Sequence, residues 1–369
     1  MDAARTAAAD TTAAAPAGAA APVEAAAPAP AAAPAAPPSH RTLASGRRIP
    51  AIGAGTFGSD RYDAETVGLA VEHSLRAGFR LLDCATVYGN EPRVGRAIAD
   101  SGVPREDLFV MSKIWNDAHE PAAAVASVER SLEDLGLDVL DAVFVHWPFP
   151  NHHPPHAETD ARDPDARPYE HAAFLRTWAA LESLVDRGLV RHLGTSNVTI
   201  AKLERILADV RIAPALNEME LHPCFQQPEL FRYCLDHGVQ PIGYSPLGSP
   251  SRPERDRVDG DLVDIEHPAV QAIALERGVH PAVVCLAWAV NRGQIPIPFA
   301  VKPEQIEANL AAASLALTAA EQESLRGAER NNRLIKGQVF LWPGSTDWLD
   351  LWDADGTIPG WGGYGSPAL

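Results

Sequence analysis

From residue 50 onward, apolar positions come in two alternating patterns. Short, nearly continuous runs occur at Ala51-Ile52, Leu81-Leu82, residues 108–111, 142–145, 190–194, 215–219, 239–244 and 294–298. Runs of this length with turn residues at their ends predict strands buried on both faces. Between them, apolar residues recur every three or four positions, as in Val67, Leu69, Ala70, Val71 and Leu75 ahead of Gly78. That spacing predicts amphipathic helices over about 63–77, 91–100, 120–135, 169–186, 200–208 and 228–237. Further helices are predicted near 268–277, 281–291, 304–312 and 319–329, and Thr42–Pro50 reads as a hairpin around Ser45-Gly46. Eight strand–helix units in series predict a single (β/α)8 TIM barrel of the α/β class. It carries an N-terminal hairpin, extra C-terminal helices and a Trp- and Gly-rich C-terminal tail able to cover the mouth.

Three stretches fall outside the alternation. Residues 1–39 are almost entirely Ala and Pro, without the apolar centre of a signal peptide, and the scattered prolines prevent one long helix. They read as a disordered tail, so the domain division is 1–39 and 40–369. Pro148–Pro168 is too long for a plain connection and is a candidate binding loop, and Ser245–Glu266 is another long loop, rich in Pro and charge.

Composition narrows the partners. With 31 basic and 48 acidic residues the net charge is −17, which argues against nucleic acid or an anionic membrane as the main partner. No apolar run approaches the roughly 18 residues of a membrane span. Cys84, Cys224, Cys234 and Cys285 follow no regular spacing and read as reduced thiols of a cytoplasmic protein. His152-His153-Pro154-Pro155-His156 has no acid or Cys at ligand spacing, so no metal site is expected.

The chemistry gathers at strand ends. Asp83 closes the second strand and Tyr88 follows in its loop, while Lys113 and His146 close the next two. Each alone would pass for a cap or a solvated side chain. In a parallel barrel, however, all four share the face where active sites form. A tyrosine has a pKa of about 10, too high for an effective acid at neutral pH. An ammonium about 4 Å away would favour phenolate by about 4 kcal/mol at an effective dielectric of 20, enough to lower that pKa by up to about three pH units. Asp83 would keep Lys113 charged, and a neutral His146 would orient a carbonyl. The set suits protonation of a developing alkoxide, hence carbonyl reduction by a hydride donor. The rival reading is a Rossmann dehydrogenase, because Gly53-Ala54-Gly55-Thr56-Phe57-Gly58 satisfies GxGxxG. Against it, Ser59–Tyr62 delay the helix that should begin inside the motif, and Tyr88, Lys113 and His146 would have no part to play.

Several segments then resemble the aldo-keto reductase superfamily in order and spacing. They are Gly53–Phe57, Asp83–Glu91, Ser112–Trp115, His146-Trp147-Pro148, Gly194–Asn197, Asn217–Pro223 and Tyr244–Ser249, within roughly residues 41–340. The resemblance implies a barrel that binds NADP(H) without a Rossmann motif and acts on a small carbonyl substrate. It implies Tyr88 as proton donor, Lys113 and Asp83 as its tuning pair, and His146 as the orienting group. Ser196, Asn197 and Glu218 would hold the nicotinamide carboxamide, with Tyr244 stacked on the ring and Ser245, Leu247 and Ser249 along the pyrophosphate. Phe57, Trp115 and Trp147 would wall the substrate pocket, and a monomer or weak homodimer is implied.

Departures from the family pattern carry information. Glu218 stands where many members have Gln, and a carboxylate accepts from an amide but cannot donate. Phe57 replaces a common Trp. Phe299 and Gln305 replace the Lys and Arg that grip the 2′-phosphate of NADPH, although Asn309 remains for the adenine. NAD(H), or dual use, follows as an expectation unless Lys302, Arg252, Arg255 or Arg257 substitutes. A second class of function, a nicotinamide-binding barrel acting as a regulatory or interaction subunit with little turnover, is kept open by the Ala/Pro tail.

Overall fold

A computed structural model describes residues 39–58, 61–152, 163–249, 259–354, 356–358 and 361–363. The predicted Ala/Pro tail, His153 to His156, Arg252, Arg255 and Arg257 therefore lie outside the described residues.

Eight parallel strands follow one another around a sheet: β3 (Ala54–Gly55), β4 (Leu81–Asp83), β5 (Phe109–Ile114), β6 (Leu140–Val145), β7 (Val190–Ser196), β8 (Leu216–Glu220), β9 (Gln240–Tyr244) and β10 (Ile295–Pro296). Each pairs with its sequence neighbour, and the sheet closes on itself where Gly53 and Gly55 N–H groups donate to the Pro296 and Pro298 carbonyls, both at 3.0 Å. The glycine motif thus serves closure. A Cβ on Gly53 would stand 1.8 Å from the Leu81 side chain, and one on Gly55 3.3 Å from Ile297. Sequential strand order with closure is a barrel, and the Rossmann alternative falls.

Alternation along each strand sorts the cores. On β6, Ala142 and Phe144 point inward with Leu81, Phe109, Met111, Leu216, Ile242 and Ile295, whereas Val143 and Val145 pack outward against the helices. Gly194 leaves room for the Phe144 ring, which would lie 2.3 Å from any Cβ there. The antiparallel hairpin of β1 (His40–Thr42) and β2 (Arg48–Pro50) sends Ile49 into this inner core, together with Leu43 from the turn. Among the helices, α1 (Ala64–Ala77) starts where the Asp63 side chain accepts from Thr66 N–H and stops at left-handed Gly78, as its sequence predicts. Several boundaries move: the run Ala51-Ile52 is not a strand, and the first barrel strand forms instead at Ala54–Gly55, where the Gly53 and Gly55 N–H groups reach Pro296 and Pro298. β10 is shorter than residues 294–298 because its prolines lend carbonyls but no N–H, and β7 runs past Gly194 to Ser196.

Past α10 (Ala319–Arg326) the tail returns over the strand ends, as expected. Phe340, Leu341 and Leu351 pack on Trp147 and Phe149. Asp353 pairs with buried Lys202 of α5 (Ile200–Asp209) at 2.5 Å. A second tie joins three elements: the His222 imidazole lies 3.0 Å from Glu220 and 2.9 Å from Asp264, and Glu220 also accepts from Leu334 and Ile335 N–H. Burial works against the imidazolium, but the two carboxylates overcome it and raise His222 to about 9. A folded-state pKa above the unfolded value stabilises fully below about 6.5 and is lost as pH rises through about 9. His222→Gln should therefore lower the melting temperature by about 5–10 °C at pH 7. The gap to wild type should close by pH 10 in a pH series of thermal melts; a gap independent of pH would contradict the charged clasp.

Candidate active site

One large cavity, of about 1640 Å³, opens at the carboxyl ends of the strands. Asp83, Tyr88, His146, Asn197, Glu218 and Tyr244 line one region, and Phe299, Ala300, Val301, Glu304, Gln305 and Asn309 another. Four short reaches of backbone deliver the predicted quartet. Asp83 ends β4, and a 3₁₀ turn over Thr86–Tyr88 swings Tyr88 back over it. Lys113 lies near the end of β5, and His146 immediately follows β6.

Lys113 is only 1 % exposed, so its ammonium must be neutralised inside the protein. It donates to the Asp83 carboxylate in a short ion pair and to the Cys84 carbonyl at 3.1 Å, and its Nζ sits 5.4 Å from the Tyr88 ring centroid. A second carboxyl stands on the same ammonium, with Glu218 Oε2 3.4 Å away and making no hydrogen bond among the described residues. The sequence reading gave Glu218 to the cofactor alone and missed this contact. Its signal was the replacement of a neutral Gln by an acid on an inward-facing β8 position. Burial and the nearby Asp83 charge raise Glu218 to about 8, outweighing the attraction of Lys113.

The expected effect of Lys113 on Tyr88 needs correction. Burial of the phenol, with the Asp83 and Glu218 charges, outweighs the pull of Lys113 and raises the Tyr88 pKa well above its usual value. Lys113 still favours the phenolate, but burial of the phenol outweighs it. Tyr88 is consequently protonated at neutral pH, ready to donate. Its ring meets Phe57 at 5.0 Å and His146 at 5.9 Å between centroids. Burial, then Lys113, holds His146 well below its ordinary pKa, so the imidazole is neutral. Its Nδ1 has no partner among the described residues.

The remaining predicted residues fall into place around this centre. Tyr244 donates to Asn197 Oδ1 at 2.7 Å, and Asn197 Nδ2 donates to the His146 carbonyl at 2.9 Å and to Ser196 Oγ at 3.2 Å. Ser196 sits beneath Asn197 and is not among the lining residues. Asn197, Ser245 and Ser249 hold left-handed backbone, with φ of 55°, 51° and 39°. For non-glycine residues that conformation is uncommon and gathers at functional sites. Leu247, Ser249, Phe299 and Asn309 line the cavity, and so do Phe57, Trp115 and Trp147. Trp147 is largely buried and backed by Phe340, whereas Phe57 is 46 % exposed at the entrance. His152, at the edge of the His-rich loop, lies 3.8 Å from Asp163 and also lines the cavity. Unforeseen were Arg61 and Arg130 on the wall, and Phe340 and Val339 contributed by the tail. Lys302 does not line it.

Tyr88, His146, Asn197, Glu218 and Tyr244 together line one end of the cavity and fit a bound group with polar atoms of its own. The donor set at that end suits an amide and a carbonyl, as a nicotinamide and its substrate would present.

Comparison with known proteins gives a consistent picture. The model of the Aldo/keto reductase family matches residues 51–330. The chain is 40 % identical over 320 residues to "Aldo/keto reductase slr0942" of Synechocystis, covering 84 % of this chain and 95 % of that protein. It is 36 % identical over 309 residues to "Aldo-keto reductase family 1 member A1" of Mus musculus, covering 81 % and 92 %. With "Glycerol 2-dehydrogenase (NADP(+))" of Hypocrea jecorina it shares 38 % identity over 286 residues, covering 73 % and 85 %. Among solved structures, MGS-M4, an aldo-keto reductase from a Medee basin deep-sea metagenome library, superposes with a TM-score of 0.69 at 27 % identity. That match covers 83 % of this chain and 99 % of the other.

Proposed function

The chain belongs to the aldo/keto reductase family and is an oxidoreductase, and from that premise we propose that it reduces aldehydes and aldoses to alcohols with NAD(P)H, using Tyr88 as proton donor. The observation that carries this reading is the meeting of a protonated Tyr88, a neutral His146 and the Asp83–Lys113 pair at one end of a long cavity. When bound, the nicotinamide supplies the hydride. Asn197 and Glu218 offer hydrogen-bonding groups to its carboxamide from above Ser196, and Tyr244 offers a ring face. His146 donates an N–H to the substrate carbonyl and holds its oxygen toward Tyr88. As negative charge develops on that oxygen, Tyr88 gives up its proton, and the nearby Lys113 ammonium stabilises the phenolate left behind. Phe57, Trp115 and Trp147 keep this end apolar, which excludes water and leaves space for a small carbonyl compound. The name of the Hypocrea relative supports polyol- and aldose-sized substrates. The four buried, unpaired cysteines support a reducing, cytoplasmic setting.

The cofactor follows from the other end. Phe299 and Gln305 present no charge to a 2′-phosphate, and Glu304 on the same wall repels one. NADH should therefore bind at least as tightly as NADPH when each is titrated against tryptophan fluorescence. Restoring cations with Phe299→Lys and Gln305→Arg should tighten NADPH about tenfold or more per residue, with little change for NADH. If the wild type bound NADPH tenfold more tightly than NADH, the reading would be wrong and Arg61 would become the first residue to test.

A further inference from the structure

Lys113 carries two carboxyls, where the proton-donor chemistry of the proposed reaction requires only Asp83. Asp83 holds the ammonium in a short ion pair, whereas Glu218, which lines the cavity, stands back at 3.4 Å and its Oε2 makes no hydrogen bond among the described residues. Glu218 is 2 % exposed, so its charge would be poorly solvated. The groups that face it are Asp83 from β4, Tyr88 from the following turn, Lys113 from β5, His146 after β6 and Tyr244 from β9. Glu220 lies two residues along β8, with the buried Arg333 guanidinium among its neighbours. Of the groups facing Glu218, Tyr88 and His146 are neutral and Asp83 is matched to Lys113. An ionised Glu218 would therefore leave the cluster with one net negative charge, and a protonated Glu218 leaves it balanced.

We propose that Glu218 is a proton store for the nicotinamide site, releasing its proton when oxidised cofactor binds and keeping it when reduced cofactor binds. The inference rests on the reductase reading above. An oxidised nicotinamide ring carries a positive charge, and the reduced ring is neutral. A cation against Tyr244 supplies the countercharge that Glu218 lacks, so the carboxyl ionises and its proton passes to the buffer. With a neutral ring the proton stays, and Glu218 then has an O–H to donate to the carboxamide, as a Gln would with its NH₂. The protein thus acquires a preference between the two redox states that follows pH, and alkaline conditions favour the oxidised form.

The sign follows from linkage. In the free protein Glu218 titrates near 8, and in the complex with oxidised cofactor it titrates lower. Affinity for that cofactor therefore rises with pH between the two values and is flat outside them.

Isothermal titration of the full chain with NAD⁺ and with NADH, in buffers of different ionisation enthalpy, counts the protons directly. At pH 7 about half to one proton should be released with NAD⁺ and close to none with NADH. Between pH 6.5 and 7.5 the NAD⁺ affinity should rise about three- to tenfold, against less than about twofold for NADH. Glu218→Gln should bind NADH and lose the proton release with NAD⁺. An infrared difference spectrum of the wild type should show loss of a protonated carboxyl band on adding NAD⁺, which keeps the test decisive even if the variant fails to fold. Equal proton counts for the two cofactors, or undiminished release in Glu218→Gln, would overturn the proton store while leaving the reductase standing. Should the protein bind NADP(H) alone, the same comparison runs with NADP⁺ and NADPH, whose common 2′-phosphate cancels. Binding of neither pair would instead remove the reductase reading itself.

Discussion

Tyr88→Phe should turn over aldehydes about 10²- to 10⁴-fold more slowly than the wild type while binding NADH and NADPH unchanged. The substitution removes one oxygen. The ring that packs against Phe57 and faces His146 and Lys113 remains, so neither the fold nor the cavity wall has reason to shift. What disappears is the O–H: His146 is neutral, and the Lys113 ammonium is engaged by Asp83. Steady-state kinetics beside fluorescence titration separate the two effects. Wild-type turnover in this variant would exclude Tyr88 as the acid, whereas lost cofactor binding would mean the substitution had damaged the site as a whole.

Lys113→Met should cost both activity and stability. The variant leaves Asp83 and Glu218 buried around an apolar side chain, and breaking a buried ion pair from one side typically costs about 3–5 kcal/mol. That cost depends on pH in a defined direction. Both carboxyls already have raised pKa values from burial, and without the ammonium they rise further. The folded variant then binds more protons than the unfolded chain, so its stability is retained near pH 4 and falls as pH increases. Urea unfolding at pH 5 and pH 8 should show a larger deficit at pH 8, partly recovered in Lys113→Met/Glu218→Gln. Turnover should drop by about 10²-fold or more because the phenolate of Tyr88 loses its countercharge. An equal deficit at both pH values would contradict the charge account of this cluster.

The barrel was legible because its signals are local. Strand runs, helix periodicity and Gly78 as a stop each act within a few residues, and the structure places most of those elements where they are expected. The meeting of Asp83, Tyr88, Lys113 and His146 at one end of the barrel was legible for a related reason: in a parallel barrel, the residue after a strand is fixed in space by the strand itself. The glycines at 53 and 55 were ambiguous in sequence. The closure that requires them involves Pro296 and Pro298, some 240 residues away, and no local pattern shows it. The charge balance was hidden in the same way. That Lys113 meets Glu218 as well as Asp83 depends on β5 and β8 facing each other across the barrel, and the Tyr88 shift is upward because burial of the phenol, aided by both carboxyls, outweighs Lys113. The His222 clasp joins β8, the residues around Asp264 and the C-terminal tail, and its three residues look unremarkable one at a time.

In the proposed reaction this site moves a hydride from nicotinamide to a carbonyl carbon while Tyr88 supplies the proton. The most direct test is a single-turnover reaction with reduced cofactor deuterated at nicotinamide C4 and with glyceraldehyde as substrate, followed by mass analysis of the alcohol. Wild type should place one deuterium on the former carbonyl carbon and show a slower rate with the label, and Tyr88→Phe should leave the bound cofactor unconsumed. Product without deuterium, or equal turnover by Tyr88→Phe, would contradict it.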